Sequence, residues 1–263
     1  MGIINVTPDS FYAASRTFDI DRAIEKGILF EKQGADIIDI GGESTRPFSN
    51  GISEEEEKRR VLPVIEALKK HIKIPISIDT TKPKVARAAI EKGASFINDV
   101  SGFSDPEMLE VAKEHNIDLC VMHKLGSSQT MQLSPKYEKG VVHEVYSWIE
   151  ERTKLLLDSG IDPKKIVIDP GIGFGKSFDH NIELLRNIHK FRQLGFQVLV
   201  GVSRKSFLSK LLSVANEELL CATIALNTWL MQKQVDYIRV HDVKEHKEAY
   251  LVFRALNVQS SFT

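Results

Sequence analysis

Short apolar runs recur along this chain, and each stops at polar residues. Ile166-Val167-Ile168 ends on Asp169-Pro170 and the spaced glycines Gly171, Gly173 and Gly175. Ile37-Ile38-Asp39-Ile40 runs into Gly41-Gly42-Glu43-Ser44-Thr45-Arg46-Pro47, Ile76-Ser77-Ile78 into Asp79, and Ser95-Phe96-Ile97 into Asn98-Asp99. Leu119-Cys120-Val121-Met122 meets His123, and Val198-Leu199-Val200-Gly201-Val202 meets Ser203-Arg204-Lys205. Tyr237-Ile238-Arg239-Val240 meets His241-Asp242, and Gly2-Ile3-Ile4-Asn5-Val6 opens the series by heading into Thr7-Pro8-Asp9. Runs without polar alternation are buried on both faces, as in a parallel sheet covered by helices.

Helical patterns separate the runs. Residues 19–33 carry Ile20, Ala23, Ile24, Ile28 and Leu29 at helical spacing and stop at Gly34. Ser53 before Glu54-Glu55-Glu56-Glu57 predicts an N-cap with acids in the first turn, where the helix dipole favours them. Residues 83–92 predict a short helix closed by Gly93, and Asp105-Pro106 starts the next. Further helices are expected over 141–159, 181–193, 217–234 and 243–256, with 257–263 frayed. Residues 124–139 show no period and form the longest irregular stretch. Eight strand–helix units predict one α/β domain over 1–263, a (β/α)8 TIM barrel with its active site at the C-terminal strand ends. An open doubly wound sheet is the alternative. Because Gly2 already reads as strand, the first strand looks truncated, and a fused upstream partner is an expectation.

Composition narrows the class. At 263 residues, 42% hydrophobic and 27% charged, the chain reads as globular; a net charge of -1 argues against a broad nucleic-acid footprint. Cys120 and Cys221 sit in apolar surroundings and read as two buried thiols in a reducing compartment, the cytoplasm. No apolar span approaches the roughly 20 residues of a membrane helix, and the N-terminus does not read as a signal peptide.

In a barrel the polar strand ends converge. Asp79, Asn98 and Asp169 would form a hydrogen-bonding floor for a flat heterocycle with several ring N–H groups, with Lys205 at its other edge. A metal cluster or structural network is the competing reading of the same three. Arg239 and His241 alternate around Val240 and, with Asn5 and Ser203-Arg204-Lys205, make an anion pocket; a buried ion pair is the alternative for Arg239. The glycines that follow Asp169-Pro170 have the wrong spacing for a dinucleotide fingerprint and read as a turn with unusual backbone angles. Residues 41–47 read as a loop able to close over a substrate, with Arg46 available for a carboxylate.

These blocks, in this order and across nearly the whole chain, resemble dihydropteroate synthase of the pterin-binding family. The resemblance implies that Asp79, Asn98, Asp169 and Lys205 hold a dihydropterin, and that Arg239 and His241 bind its diphosphate with Asn5 on Mg²⁺. It also implies a p-aminobenzoate site built from Thr45, Arg46, Pro47, Phe174, Lys205 and Ser206, with Asp79, Lys205 and Arg46 acting in catalysis. Sulfonamide binding and a homodimer are implied too. Two departures stand out: Tyr12-Ala13-Ala14-Ser15-Arg16 replaces an Asp-Gly-Gly-type loop, and residues 126–132 lack the usual proline. A non-catalytic pterin-binding paralogue and a methyltetrahydrofolate:corrinoid methyltransferase are the alternatives.

Overall fold

The structure, a computed structural model, describes residues 1–6, 13–44, 51–126 and 130–257, the side chains of 13–19 excepted. Its strands are β1 (Gly2–Asn5), β2 (Ile38–Gly41), β3 (Ile76–Asp79), β4 (Phe96–Asp99), β5 (Asp118–Met122), β6 (Ile166–Asp169), β7 (Gln197–Val200) and β8 (Tyr237–Ile238). All pair in parallel and in sequence order, so each connection must cross the sheet through a helix. The sheet is curled but open, with no ladder between β8 and β1; one isolated parallel bridge, Gly2 to Val240, links its two edges, where Ile3 N donates to Val240 O and Val240 N donates to Met1 O.

The helices are α1 (Ala13–Lys32), α2 (Glu54–His71), α3 (Pro83–Glu91), α4 (Pro106–His115), α5 (Val141–Asp158), α6 (Phe178–Arg186), α7 (Ile188–Phe191), α8 (Ser206–Leu212), α9 (Leu220–Gln232) and α10 (Val243–Asn257). Local chemistry sets their ends. Ser53 accepts from Glu56 N at the start of α2, and Asp105 accepts from Glu107 N at the start of α4. The helix expected over 181–193 is two, broken at Asn187, whose side chain bonds Glu183 O. The short α8 has no sequence expectation, since seven residues carry too little periodicity.

Side chains alternate across each strand, so Ile38, Ile40, Ile76, Ile78 and Ile97 join the helices in the main core. The other face builds a separate, smaller cluster from Met1, Ile37, Phe96, Cys120, Val167 and Leu199 with Tyr237 against it. Above this apolar plug, toward the C-terminal strand ends, the same face becomes polar: Asp39, Ser77, Asp79, Asn98 and Asp169 are all buried. Cys120 belongs to the plug, but Cys221 is exposed on α9, contrary to the expectation of two buried thiols. The reason is that α9 is apolar nearly all round, so residue type does not mark its inner face.

Candidate active site

Asp39 is the centre of the polar layer, fully buried one alternation below Gly41. Its Oδ1 accepts from Ser77 Oγ at 2.6 Å, and its Oδ2 accepts from Asn98 Nδ2 at 3.2 Å and from Arg239 Nε at 2.5 Å. Arg239 Nη2 donates to Asp79 Oδ2 at 2.7 Å. Three strands are thereby cross-linked by one guanidinium. Burial opposes the Arg239 charge, but Asp39 and Asp79 outweigh it and hold the group above its ordinary range. Burial pushes Asp79 up to about 7 against the pull of Arg239. Asp79 Oδ1 is buried with no hydrogen-bond partner among the described residues. Such an oxygen is costly to the fold unless a ligand donor reaches it.

Asp169 ends β6, level with Met122 of β5. Its Oδ1 accepts from Gly171 N at 2.7 Å, while burial pushes its pKa up, opposed first by Lys205. The chain then turns through Gly171, Gly173 and Gly175, all with positive φ. A Cβ on Gly171 would lie 1.9 Å from His123 O, so the turn admits no side chain there. The irregular stretch after β5 braces this loop: Gln132 Nε2 donates to Gly173 O at 2.6 Å and Tyr137 OH donates to Gly175 O at 2.9 Å. Asn181 of α6 accepts from Gly173 N at 2.7 Å.

Lys205 reaches over from the loop after β7. Its ammonium donates to Ile172 O and lies 4.3 Å from the centre of the Phe174 ring. Burial lowers it to about 8, with Asp169 pulling the other way. Ser206, exposed, begins α8 directly after it. Behind Lys205, Ser203 Oγ accepts from His241 N at 3.2 Å and lies 3.0 Å from His241 Nδ1. When the serine donates to Nδ1, the ring carries its proton on Nε2 and presents it as a donor. Burial, then Arg239 and Arg204, lower His241 to about 4, so this ring is neutral. Arg204 and Asp242 pair through two bonds, Nε to Oδ2 at 3.1 Å and Nη2 to Oδ1 at 2.5 Å, tying the β7 loop to the end of β8.

Asp79, Asn98, Asp169, Lys205 and Arg239 are thus brought to one end of the sheet, where Lys205 feels Asp169, Arg239 and Asp79 together. Asn5, exposed, closes the level of Gly41, Asp79 and Asn98, which are successive register partners. Thr45, Arg46 and Pro47 lie outside the described residues, as does the loop 7–12. Sequence reasoning missed Asp39, Gln132 and Tyr137 as parts of the site's framework. An aspartate inside the apolar run Ile37-Ile38-Asp39-Ile40 was the available signal, because a carboxylate there needs a buried partner. Arg239 does form buried ion pairs, but with strand carboxylates. Among the described residues, no group of three or more His, Cys, Asp or Glu is placed to hold a metal ion.

A cavity of about 370 Å³ lies at the opposite strand ends, lined by Met1, Ala35, Asp36, Asp236 and His246 among others. The apolar plug separates it from the polar layer.

The family described as pterin binding enzyme matches residues 1–241. The chain is 42% identical over 255 residues to the dihydropteroate synthase of Escherichia coli K12, covering 97% of this chain and 90% of that protein. It superposes on a Yersinia pestis dihydropteroate synthase solved with a sulfonamide drug complex at a TM-score of 0.92, with 37% identity and 97% and 93% of the two chains covered. A Clostridium difficile dihydropteroate synthase solved in the presence of pteroic acid gives 0.91 at 40% identity, covering 98% and 95%. With the polar layer ordered as it is and likeness running the length of both chains, this chain belongs to the dihydropteroate synthase family of pterin binding enzymes.

Proposed function

We propose that the chain condenses (7,8-dihydropterin-6-yl)methyl diphosphate with p-aminobenzoate, giving 7,8-dihydropteroate and diphosphate, within a single domain closed as a (β/α)8 barrel by the Gly2–Val240 bridge. The observation that carries this reading is the gathering of Asp79, Asn98, Asp169, Lys205 and Arg239 above one apolar plug. A dihydropterin presents an amino group and ring N–H groups along one edge. Asp169 accepts two of them side by side, Asn98 pairs with the ring, and Asp79 Oδ1 receives a further donor. Lys205 donates at the opposite edge.

Arg239 has one uncommitted nitrogen, since Nε and Nη2 hold Asp39 and Asp79 and Nη1 makes no hydrogen bond among the described residues. Arg239 Nη1 and His241 Nε2–H are the donors for the diphosphate. Asn5 would hold Mg²⁺ through its side-chain amide oxygen, at the strand level it shares with Gly41, Asp79 and Asn98. An amide oxygen beside a carboxylate, completed by phosphate and water, is an ordinary donor set for Mg²⁺. Bound there, Mg²⁺ would neutralise charge on the leaving diphosphate.

Loss of diphosphate leaves a methyl cation delocalised into the pterin, which the Asp79 carboxylate stabilises electrostatically. Phe174, Lys205 and Ser206, with Thr45, Arg46 and Pro47 of the closing loop, hold p-aminobenzoate so that its amine attacks the cation. Aligning the two reactants supplies about 7–11 kcal/mol of the barrier reduction. The amine proton released as the C–N bond forms passes to water or to the departing diphosphate, so the step needs no base–nucleophile pair and no covalent adduct with the enzyme. The enzyme works in the cytoplasm as a homodimer, the second copy covering the apolar outer side of α9, where Cys221 is exposed and Trp229 half-buried. Sedimentation at micromolar concentration checks the dimer. Incubation with both substrates and MgCl₂ checks the reaction: dihydropteroate and diphosphate should appear in equal amounts. Pterin binding with no product would replace this reading with the non-catalytic paralogue.

A further inference from the structure

Arg204 holds a backbone conformation that its residue type disfavours. It stands between Ser203 and Lys205 with φ +56°, in the left-handed region where any side chain carries a steric cost. Lys205 N donates to Val202 O at 3.3 Å, so residues 202–205 form one turn. Arg204 takes the place in it where glycine or asparagine is usual. Three contacts secure this arginine. Nε and Nη2 donate to the two carboxylate oxygens of Asp242, at 3.1 and 2.5 Å, and the backbone N donates to Thr223 Oγ1 at 3.4 Å. Thr223 is fully buried on α9. Asp242 O, just before α10, accepts from His246 N at 3.3 Å and lies 2.6 Å from His246 Nδ1. The turn is thus fastened both to α9 and to the head of α10. The anion pocket expected from the sequence included Arg204, but its Nε and Nη2 are committed to Asp242.

The residues beside Arg204 serve the two flanks of β7. Ser203 Oγ accepts from His241 N, after β8 on one side. Lys205 reaches the loop after β6 on the other, to Ile172 O and the Phe174 ring. Gly173 leaves room for its stem, since a Cβ there would lie 3.0 Å from Lys205 Cδ. We propose that Arg204 is a positioning residue: its two-pronged pair with Asp242 holds the 202–205 turn in its left-handed form, which sets Lys205 at the pterin edge while Ser203 stays on His241. This rests on the pterin-binding reading and names the device that prepares one of its donors. The paired side chains keep 35% and 16% exposure, so the pair adds little to global stability and its effect falls on the turn. Alanine at 204 would carry the same backbone cost with no pair to offset it, and the turn would open. Glycine carries no such cost and keeps the turn without the pair.

The test measures binding of 6-hydroxymethylpterin, which lacks the diphosphate, by titration calorimetry. Wild type is compared with Arg204→Ala, Arg204→Gly, Asp242→Ala and the double variant Arg204→Gly/Asp242→Ala. Arg204→Ala and Asp242→Ala should each weaken binding about tenfold, because affinity falls with the fraction of molecules that hold the turn. Arg204→Gly should return to within about threefold of wild type, and adding Asp242→Ala to it should cost nothing further. Equal losses for alanine and glycine at 204 overturn the proposal, because loss of a charge or of packing would give those. Additive losses in the double variant overturn it too. So does unchanged binding by Arg204→Ala; joined to a higher KM for the pterin diphosphate, that result would make Arg204 a diphosphate contact. If Arg204→Ala does not fold, Arg204→Lys decides, since it keeps the charge without the two-pronged geometry. Weakened binding there supports the proposal, and wild-type affinity refutes it. Failure of the wild type to bind the pterin would instead strike the functional reading itself.

Discussion

Arg239 Nε and Asp39 Oδ2 meet at 2.5 Å across 200 residues of sequence, and this contact joins β2 to the end of β8 within the polar layer. Asp39 has no exposure, and its partner's side chain retains 21%. Removing one partner of a buried pair leaves the other charge uncompensated, at about 3–5 kcal/mol. Asp39→Ala should therefore lower unfolding free energy by an amount in that range, reduced somewhat by the partial exposure of Arg239. Urea denaturation measures it. A change near zero would mean that Asp79 alone suffices to hold Arg239.

The turn after Asp169 predicts a second effect. Gly171 has φ +70° and no room for a methyl group, because His123 O would be 1.9 Å away. Gly171→Ala must move either the turn or the end of β5, and Asp169 Oδ1 loses its backbone donor. Pterin affinity should fall by more than tenfold while far-ultraviolet circular dichroism stays close to wild type. Unchanged affinity would show that the turn adapts without disturbing Asp169.

How far the sequence carried these conclusions can be seen at particular residues. Asp79, Asn98 and Asp169 were legible because each ends an apolar run, and burial of that run fixes where its last side chain points. Ser53, Asp105 and Gly34 marked helix ends through local chemistry, and all three do so here. Asp39 was visible as an oddity inside a strand, but its partner lies 200 residues away and no local rule pairs them. Gln132 and Tyr137 were hidden for a related reason: their partners are backbone carbonyls, which carry no residue identity. The exposure of Cys221 was illegible because the helix carrying it is apolar nearly all round and turns its polar Thr223 and Asn227 inward.

Asp169 is the acceptor most central to pterin recognition in this reading. Its replacement by alanine leaves the amino group and ring N–H of the ligand unpaired in a buried site. Each such unpaired donor costs about 1–3 kcal/mol, and two coincide here. Titration calorimetry with 6-hydroxymethylpterin should show binding reduced below detection for Asp169→Ala. Retention of wild-type affinity would remove Asp169 from the pterin site.

Arg46 belongs to the closing loop in the proposed function, and its partner is the carboxylate of p-aminobenzoate. Arg46→Ala should raise KM for p-aminobenzoate by about tenfold or more, the worth of one charge-assisted bond at about 1.5–3 kcal/mol. The KM for the pterin diphosphate should change little. Equal effects on both would place Arg46 at the diphosphate.

The last prediction concerns acid stability and comes from His123, which is buried against Trp148 and Lys176. Burial, and then the Lys176 charge, lower this histidine from 6.5 to about 2. A base with a depressed folded pKa is neutral in the native state and takes its proton in the unfolded one. Its contribution to stability is therefore complete above about pH 6.5 and is lost as the pH falls from there toward 2. Asp79 works the other way: raised from 3.8 to about 7, it weakens the fold as the pH climbs through that interval. Between about pH 4 and 6.5 the two slopes offset one another, so the bare stability curve of the wild type would conceal both. The difference between wild type and His123→Gln isolates the histidine. That difference should shrink by about 1.4 kcal/mol for each pH unit below 6.5. Chemical denaturation at about pH 6.5, 5.5 and 4.5 measures the slope, and it is the slope, not the offset from lost packing, that identifies a buried neutral imidazole. A difference independent of pH would mean that His123 titrates in the folded protein as it does in the unfolded chain.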